Sequence, residues 1–220
     1  MLRAVLILCI LAMTQAFVLA SEFDKLLVAI ASRPDLNSIV GTGFITSPKE
    51  LIVTADHVLL KSGGTLHDEI WAISPVNTGR AFKLRVVKRL SGGPNGRDIA
   101  VLTTDLPLPL TGRGWVLSNG SPSEAGDTVL IGGFPLVFDK VSPFPLVRSG
   151  IVASTTFKSQ DTPIIVLDMA AVNGFSGSPV VSIKHGVIGV FTGYPRNRRD
   201  TNFSIAAPIK AKDLEELETK

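Results

Sequence analysis

Three short stretches carry side chains able to perform acyl transfer together. "LIVTADHVLL" holds His57, "GRDIAVLTTD" holds Asp98, and "VNGFSGSPVV" holds Ser176 between Gly174 and Gly177. A serine hydroxyl is a poor nucleophile near neutral pH. It needs a base within hydrogen-bond reach, and the base needs a partner that orients it. Taken singly, each residue also has a plain structural reading: His57 as a histidine at a strand end, Asp98 as a solvated carboxylate at a strand start, Ser176 as a loop serine. A carboxylate set directly against an apolar run such as 99–102 is costly to bury unless paired. Glycines flanking a serine weaken any regular element and let something approach the backbone closely.

The elements that must position these groups read as short strands. Apolar runs rich in Val and Ile occupy 38–45, 51–54, 70–74, 82–88, 99–103, 128–131, 147–155, 164–169, 179–183, 187–192 and 202–206. Gly, Pro, Ser and Asn separate them, which predicts an all-β sandwich or barrel fold. "SPKE" at 47–50 and "KHG" at 184–186 sit between such runs as hairpin turns. The proline- and glycine-punctuated stretch 104–127 divides the chain into halves of similar size. Helix is expected only at the ends, over 23–31 and 210–219.

"TADHV", "DIAVL" and "GFSGSPV", in the order His, Asp, Ser, resemble the three signature blocks of chymotrypsin-fold (trypsin-like) serine proteases. The style is similar to the cysteine-free HtrA-type branch. "GTGFITSPKELIVTADHVL" resembles that branch's first hairpin leading to the histidine, "DMAAVNGFSGSPVV" has its aspartate-to-serine spacing, and "FSIAAPI" resembles its last barrel strand. The resemblance covers roughly 38–210. It implies two six-stranded antiparallel β-barrels with a short C-terminal helix: 21–110 carrying His57 and Asp98, and 111–220 carrying Ser176. It further implies Ser176 as nucleophile, His57 as general base and acid, Asp98 as the group holding the imidazole tautomer, and the Gly174 and Ser176 N–H groups as the oxyanion hole. Ser178, two residues on, is the competing hydroxyl, at a position where that family usually has glycine.

The same resemblance places the substrate side chain against Ala170 and Ala171 at the base and Thr192, Gly193 and Tyr194 on one wall, with Asn173 also in the pocket. None of these is charged, so a small or medium apolar residue is expected before the scissile bond. Asp168 lies near this region in the chain, which leaves a basic preference disfavoured rather than excluded. Two departures stand out. Phe175 occupies the place of the aspartate that, in digestive relatives, pairs with a new N-terminus, so activation of that kind is not expected. Asn173 stands where the HtrA-type branch usually has proline. No PDZ domain is expected after residue 220.

Composition limits the partners. Net charge is +3, too small to imply nucleic acid, and Arg196, Arg198 and Arg199 read as a solvated loop. His67 beside Asp68 and Glu69 alternates faces in an extended segment, which argues against a metal site. His185 falls in a hairpin turn and is expected to be exposed. Neither metal nor cofactor is expected; the partner is a protein or peptide substrate.

Residues 1–20 read as a secretory signal: Arg3, an apolar core over 4–13, and Val18-Leu19-Ala20 before Ser21, with cleavage after Ala20 and a second-choice site after Ala16. The other reading is an uncleaved membrane anchor, although Thr14 and Gln15 interrupt the run. Cys9, the only cysteine, lies inside that segment, so the mature chain of about 200 residues holds no disulfide. The expectation is a secreted or periplasmic serine endopeptidase without membrane contact after processing. Its rivals are a catalytically silent or latent protease-fold binding module and, from a different fold, an esterase elbow. The histidine-first order argues against the last.

Overall fold

The computed structural model describes residues 23–47, 50–74, 79–91, 96–106, 108, 114–119, 123–137, 140–142, 144–159, 161–170, 172–194, 202–215 and 217. The signal at 1–20, Ala171, and the arginines at 196, 198 and 199 lie outside the described residues.

The first half contributes β1 (Leu27–Ala31), β2 (Ile39–Ile45), β3 (Ile52–Thr54), β4 (Trp71–Ser74), β5 (Arg80–Lys83), β6 (Arg85–Arg89) and β7 (Ala100–Thr103). They form one antiparallel sheet in the order β5-β4-β1-β2-β3-β7-β6. Only Leu84 separates β5 from β6, and its N–H donates to Ile70 O at 2.8 Å. The strand on one edge therefore continues into the strand on the other. The sheet curls into a six-stranded barrel in which one strand is bent.

The helix expected over 23–31 is replaced by a 3-10 turn at Asp24–Leu26 followed by β1. The reason is burial on both faces. β1 lies between β2 and β4, all five of its residues are buried, and its "LVAIA" run therefore lacks the alternation that marks a half-exposed strand.

The second half contributes β8 (Thr128–Gly133), β9 (Leu136–Val137), β10 (Lys140–Val141), β11 (Leu146–Ser154), β12 (Lys158–Ser159), β13 (Thr162–Pro163), β14 (Ile165–Asp168), β15 (Pro179–Ser182), β16 (Gly186–Gly193) and β17 (Phe203–Pro208). Six of these close a barrel in the order β11-β14-β17-β16-β15-β8. Its interior is filled by Val129, Ile131, Val152, Leu167, Phe175, Val180 and Phe191, among others. β15 and β16 meet at the expected hairpin, where Gly186 takes φ +73°.

The segment between the barrels is stitched to both. Trp115 N–H donates to Ile45 O in the first barrel, and Ser118 N–H donates to Val187 O in the second, each at 2.8 Å. The terminal helix is shorter than expected: α1 spans Lys212–Glu215, with Leu214 buried and Glu215 exposed. Its Asp213 receives two parallel bonds from Arg97, at 2.7 and 2.8 Å, while Arg97 also donates to Pro208 O at 2.9 Å. The residue next to Asp98 is thereby fastened to the far end of the chain.

Candidate active site

His57 lies in a 3-10 turn, Asp56–Leu59, that leaves the end of β3. β7 pairs with β3, Ala100 opposite Thr54, which brings Asp98, two residues before β7, up to that turn. Asp98 then holds His57 twice. Its Oδ1 accepts the His57 backbone N–H at 2.9 Å, and its Oδ2 lies 2.6 Å from His57 Nδ1. The carboxylate fixes the proton on Nδ1 and leaves Nε2 as an acceptor. Both side chains stay partly open to solvent, 45% and 36% exposed, so a substrate can reach them.

Ser176 sits on the loop between β14 and β15, pressed against the same end of the first barrel. Its carbonyl accepts the Thr42 N–H at 2.8 Å, and Gly177 N–H donates to Phe191 O at 2.8 Å. Gly174 (φ +94°) and Gly177 (φ +91°) both adopt left-handed backbone. A Cβ at Gly177 would overlap Thr42 O and Thr54 Oγ1, and one at Gly174 would overlap Phe134 O. These contacts place Ser176 beside the strand end that carries His57. Among the described residues the Ser176 side chain makes no hydrogen bond, and neither the Gly174 nor the Ser176 N–H has an acceptor. Long nucleophile–base distances are common before substrate arrives.

Thr42, which the sequence did not single out, organises this loop. It is fully buried, donates its hydroxyl to Gly174 O at 2.8 Å and accepts from Phe134 N–H at 3.1 Å. Only its place in "GTGF" hinted at it. Phe175 is buried edge-on to Phe191, centroids 6.5 Å apart, so apolar packing anchors the loop where an ion pair does so in digestive relatives. Ser178 is fully buried, out of a substrate's reach. A Gly177→Ala variant combines a left-handed φ with backbone overlap. It is expected to lose more than about 2 kcal/mol of unfolding free energy, read as a lower urea midpoint.

Of the expected pocket residues, Ala170 and Tyr194 are half-buried and Asn173 is exposed. Thr192 donates its hydroxyl to Ile205 O at 3.2 Å. Thr192 and Tyr194 border a cleft of about 500 Å³ that also reaches Asp98, Thr162 and Ile205. The other histidines stay away. His67 lies beside the Lys61–Asp68 ion pair (2.8 Å). His185 is in the expected turn but half-buried, 24% exposed, because its Nε2 sits 3.8 Å from buried Asp127. Among the described residues no group of three His, Cys, Asp or Glu side chains could hold a metal ion.

Asp56, the neighbour of His57, is 3% exposed. Burial pushes its carboxyl up, but hydrogen bonds from Arg89, at 2.6 and 2.7 Å, and from Ser91 outweigh this and hold it below the ordinary 3.8. The stabilisation is present above the pKa of the unfolded carboxyl, about 3.9, and is lost as pH falls through the lower folded value. Arg89→Leu strands that carboxylate and is expected to cost about 3 kcal/mol at pH 7. The gap to wild type should narrow as pH falls and close only below the lowered folded value of Asp56, where the paired carboxyl too is protonated; a series of urea unfolding curves from pH 7 downward measures it.

Residues 41–190 match the family model described as a trypsin-like peptidase domain. The chain belongs to that family. A relative named as a probable periplasmic serine endoprotease, DegP-like, from Rickettsia prowazekii (strain Madrid E) is 30% identical over 164 residues, 70% of this chain and 28% of the relative. The chain thus spans under a third of the length of that relative. Among solved structures, HtrA-type protease AlgW with a decapeptide superposes with TM-score 0.63 at 21% identity, covering 86% of this chain and 62% of AlgW. The inactive form of a serine-to-alanine mutant of Rv3671c from M. tuberculosis H37Rv gives 0.60 at 18% identity, covering 91% of this chain and 87% of the other. These likenesses show the two-barrel fold. In it His57 and Asp98 belong to the first barrel and Ser176 to the second.

Proposed function

We propose that this chain is an exported serine endopeptidase, secreted or periplasmic, built from a signal at 1–20, a barrel at 21–110 and a barrel at 111–220. The observation that carries the reading is the 2.6 Å contact between His57 Nδ1 and Asp98 Oδ2, which leaves Nε2 free beside the Ser176 loop. His57 Nε2 takes the Ser176 Oγ proton as Oγ attacks the peptide carbonyl carbon. The Gly174 and Ser176 N–H groups receive the developing oxyanion, each worth about 10²–10³ in rate. The tetrahedral adduct collapses to an acyl-enzyme, and His57 gives its proton to the leaving amine. Water, activated by the same histidine, then releases the acid and restores Ser176. The uncharged walls at Ala170, Thr192, Gly193 and Tyr194 support a small or medium side chain before the scissile bond, apolar by the walls alone.

Labelling with a fluorophosphonate probe tests this. Ser176 Oγ attacks phosphorus, fluoride leaves, and His57 takes the proton. A tag mapped to Ser176 and absent from Ser176→Ala is the expected result. A folded protein without a tag overturns it. That outcome favours the second reading, a latent or silent protease-fold binding module, which the lack of a Ser176 side-chain hydrogen bond among the described residues also supports.

A further inference from the structure

The pocket walls are uncharged, but a cation reaches the pocket's base from outside them. Arg148 lies on β11, where its cross-strand partner on β8 is Ile131, and two positions further along Gly150 faces Val129. Ile131 and Val129 are fully buried in the interior of the second barrel. Alternation along β11 therefore turns 148, 150 and 152 inward, and Val152 is indeed buried there. Arg148 is half-buried, and its Nη1 donates to Ala170 O at 2.9 Å. Ala170 is the residue that the family resemblance places at the base of the substrate pocket, and the proposed function keeps it among that pocket's uncharged lining.

A guanidinium offers five donors in a planar fork. Among the described residues only one of them has an acceptor, and no carboxylate pairs with Arg148. The carboxylate close to Ala170 in the chain, Asp168, does not neutralise it. Asp168 is exposed and stands in register with Ile151 and Phe203, exposed residues of β11 and β17. That is the outer face of the barrel, opposite in parity to Arg148. Among the described residues, then, the base of the pocket carries a positive charge that no carboxylate pairs, with donors to spare.

We infer that Arg148 is a specificity-determining residue and that the residue before the scissile bond is acidic, glutamate or aspartate. Its carboxylate fits the size that the alanine- and glycine-lined walls allow, and it accepts charge-assisted hydrogen bonds from the free edge of the guanidinium. Lysine or arginine at that position meets a like charge and is rejected. This inference rests on Ser176 being the nucleophile of a peptidase.

The test has two readouts. Fluorophosphonate labelling of Ser176 comes first. Peptides identical except for Glu, Gln, Ala, Val or Lys before the cut bond are then compared by kcat/KM, together with cleavage-site mapping on a proteome-derived peptide library. Glu is expected to exceed its neutral isostere Gln by about 10- to 100-fold. Arg148→Met, which keeps the stem and removes the charge, should bring that ratio toward 1, while Arg148→Lys keeps part of it. Equal rates for Glu and Gln in the wild type, a ratio unchanged in Arg148→Met, or no cleavage after acidic residues in the library, with Ser176 labelled, overturns the inference alone. The wild-type comparison decides even if a variant fails to fold. Absence of the label overturns the peptidase reading, and the specificity falls with it.

Discussion

Replacing Ser176 by alanine is expected to lower kcat by about 10⁶-fold, the cost of removing the proposed nucleophile, which acts as one unit with its base. The protein stays folded with an unchanged thermal midpoint. Stability is spared because the Ser176 side chain makes no hydrogen bond among the described residues. The loop is held by other means: the Thr42 N–H on Ser176 O, the Gly177 N–H on Phe191 O, the Thr42 hydroxyl on Gly174 O, and Phe175 packed in the barrel. None of these is touched by removing one hydroxyl, so the change in unfolding free energy should stay within about 0.5 kcal/mol. Ser178 cannot take over. It is fully buried, and its hydroxyl lies against the wall formed by Gly133. The residual rate is that left by the oxyanion donors and substrate binding, about 10³–10⁴ above the uncatalysed reaction. A variant that retains wild-type turnover removes Ser176 from the mechanism.

The three candidate residues of the proposed triad stood out because short motifs carried them, and the strands because eleven apolar runs stood between turn residues. The pairings of β2 with β3 and of β15 with β16 follow from the turns at 47–50 and 184–186. What escaped the sequence depended on knowing what surrounds a residue. β1 shows no alternation because both of its faces are covered. The bent strand at Leu84 reads as one run, and only the pairing of its halves with β4 and β7 shows that it closes the barrel. The ion pairs of Asp56 with Arg89 and of Arg97 with Asp213 join residues 33 and 116 positions apart, and no local pattern encodes such a partner. Arg148 is the sharpest case. An arginine in a strand reads as a solvent-facing position until the register with Ile131 shows which face is inward.

Asp98→Asn is expected to lower kcat/KM by up to about 10⁴-fold, and the geometry says why an isosteric change costs so much. Asp98 uses both oxygens on His57, Oδ1 on the backbone N–H and Oδ2 on Nδ1. Asparagine has one oxygen. If the oxygen keeps the backbone N–H, the amide NH₂ faces Nδ1, which must then accept rather than donate. The ring's proton moves to Nε2, where it points at Ser176, and the imidazole can no longer take the serine's proton. If the amide turns over, Nδ1 keeps its acceptor, but the NH₂ then confronts the His57 backbone N–H, and the positive charge that develops on the ring has lost its carboxylate. Either way the base fails while the shape of the site survives. The variant should melt like the wild type, and its Ser176 should react with the fluorophosphonate more slowly in parallel with turnover. The ratio of Glu to Gln cleavage should not move, because Arg148 and Ala170 are untouched. A loss of rate with that ratio preserved separates the proton-transfer machinery in the first barrel from the selecting charge in the second. A loss of both together means that the two barrels do not divide the work in this way.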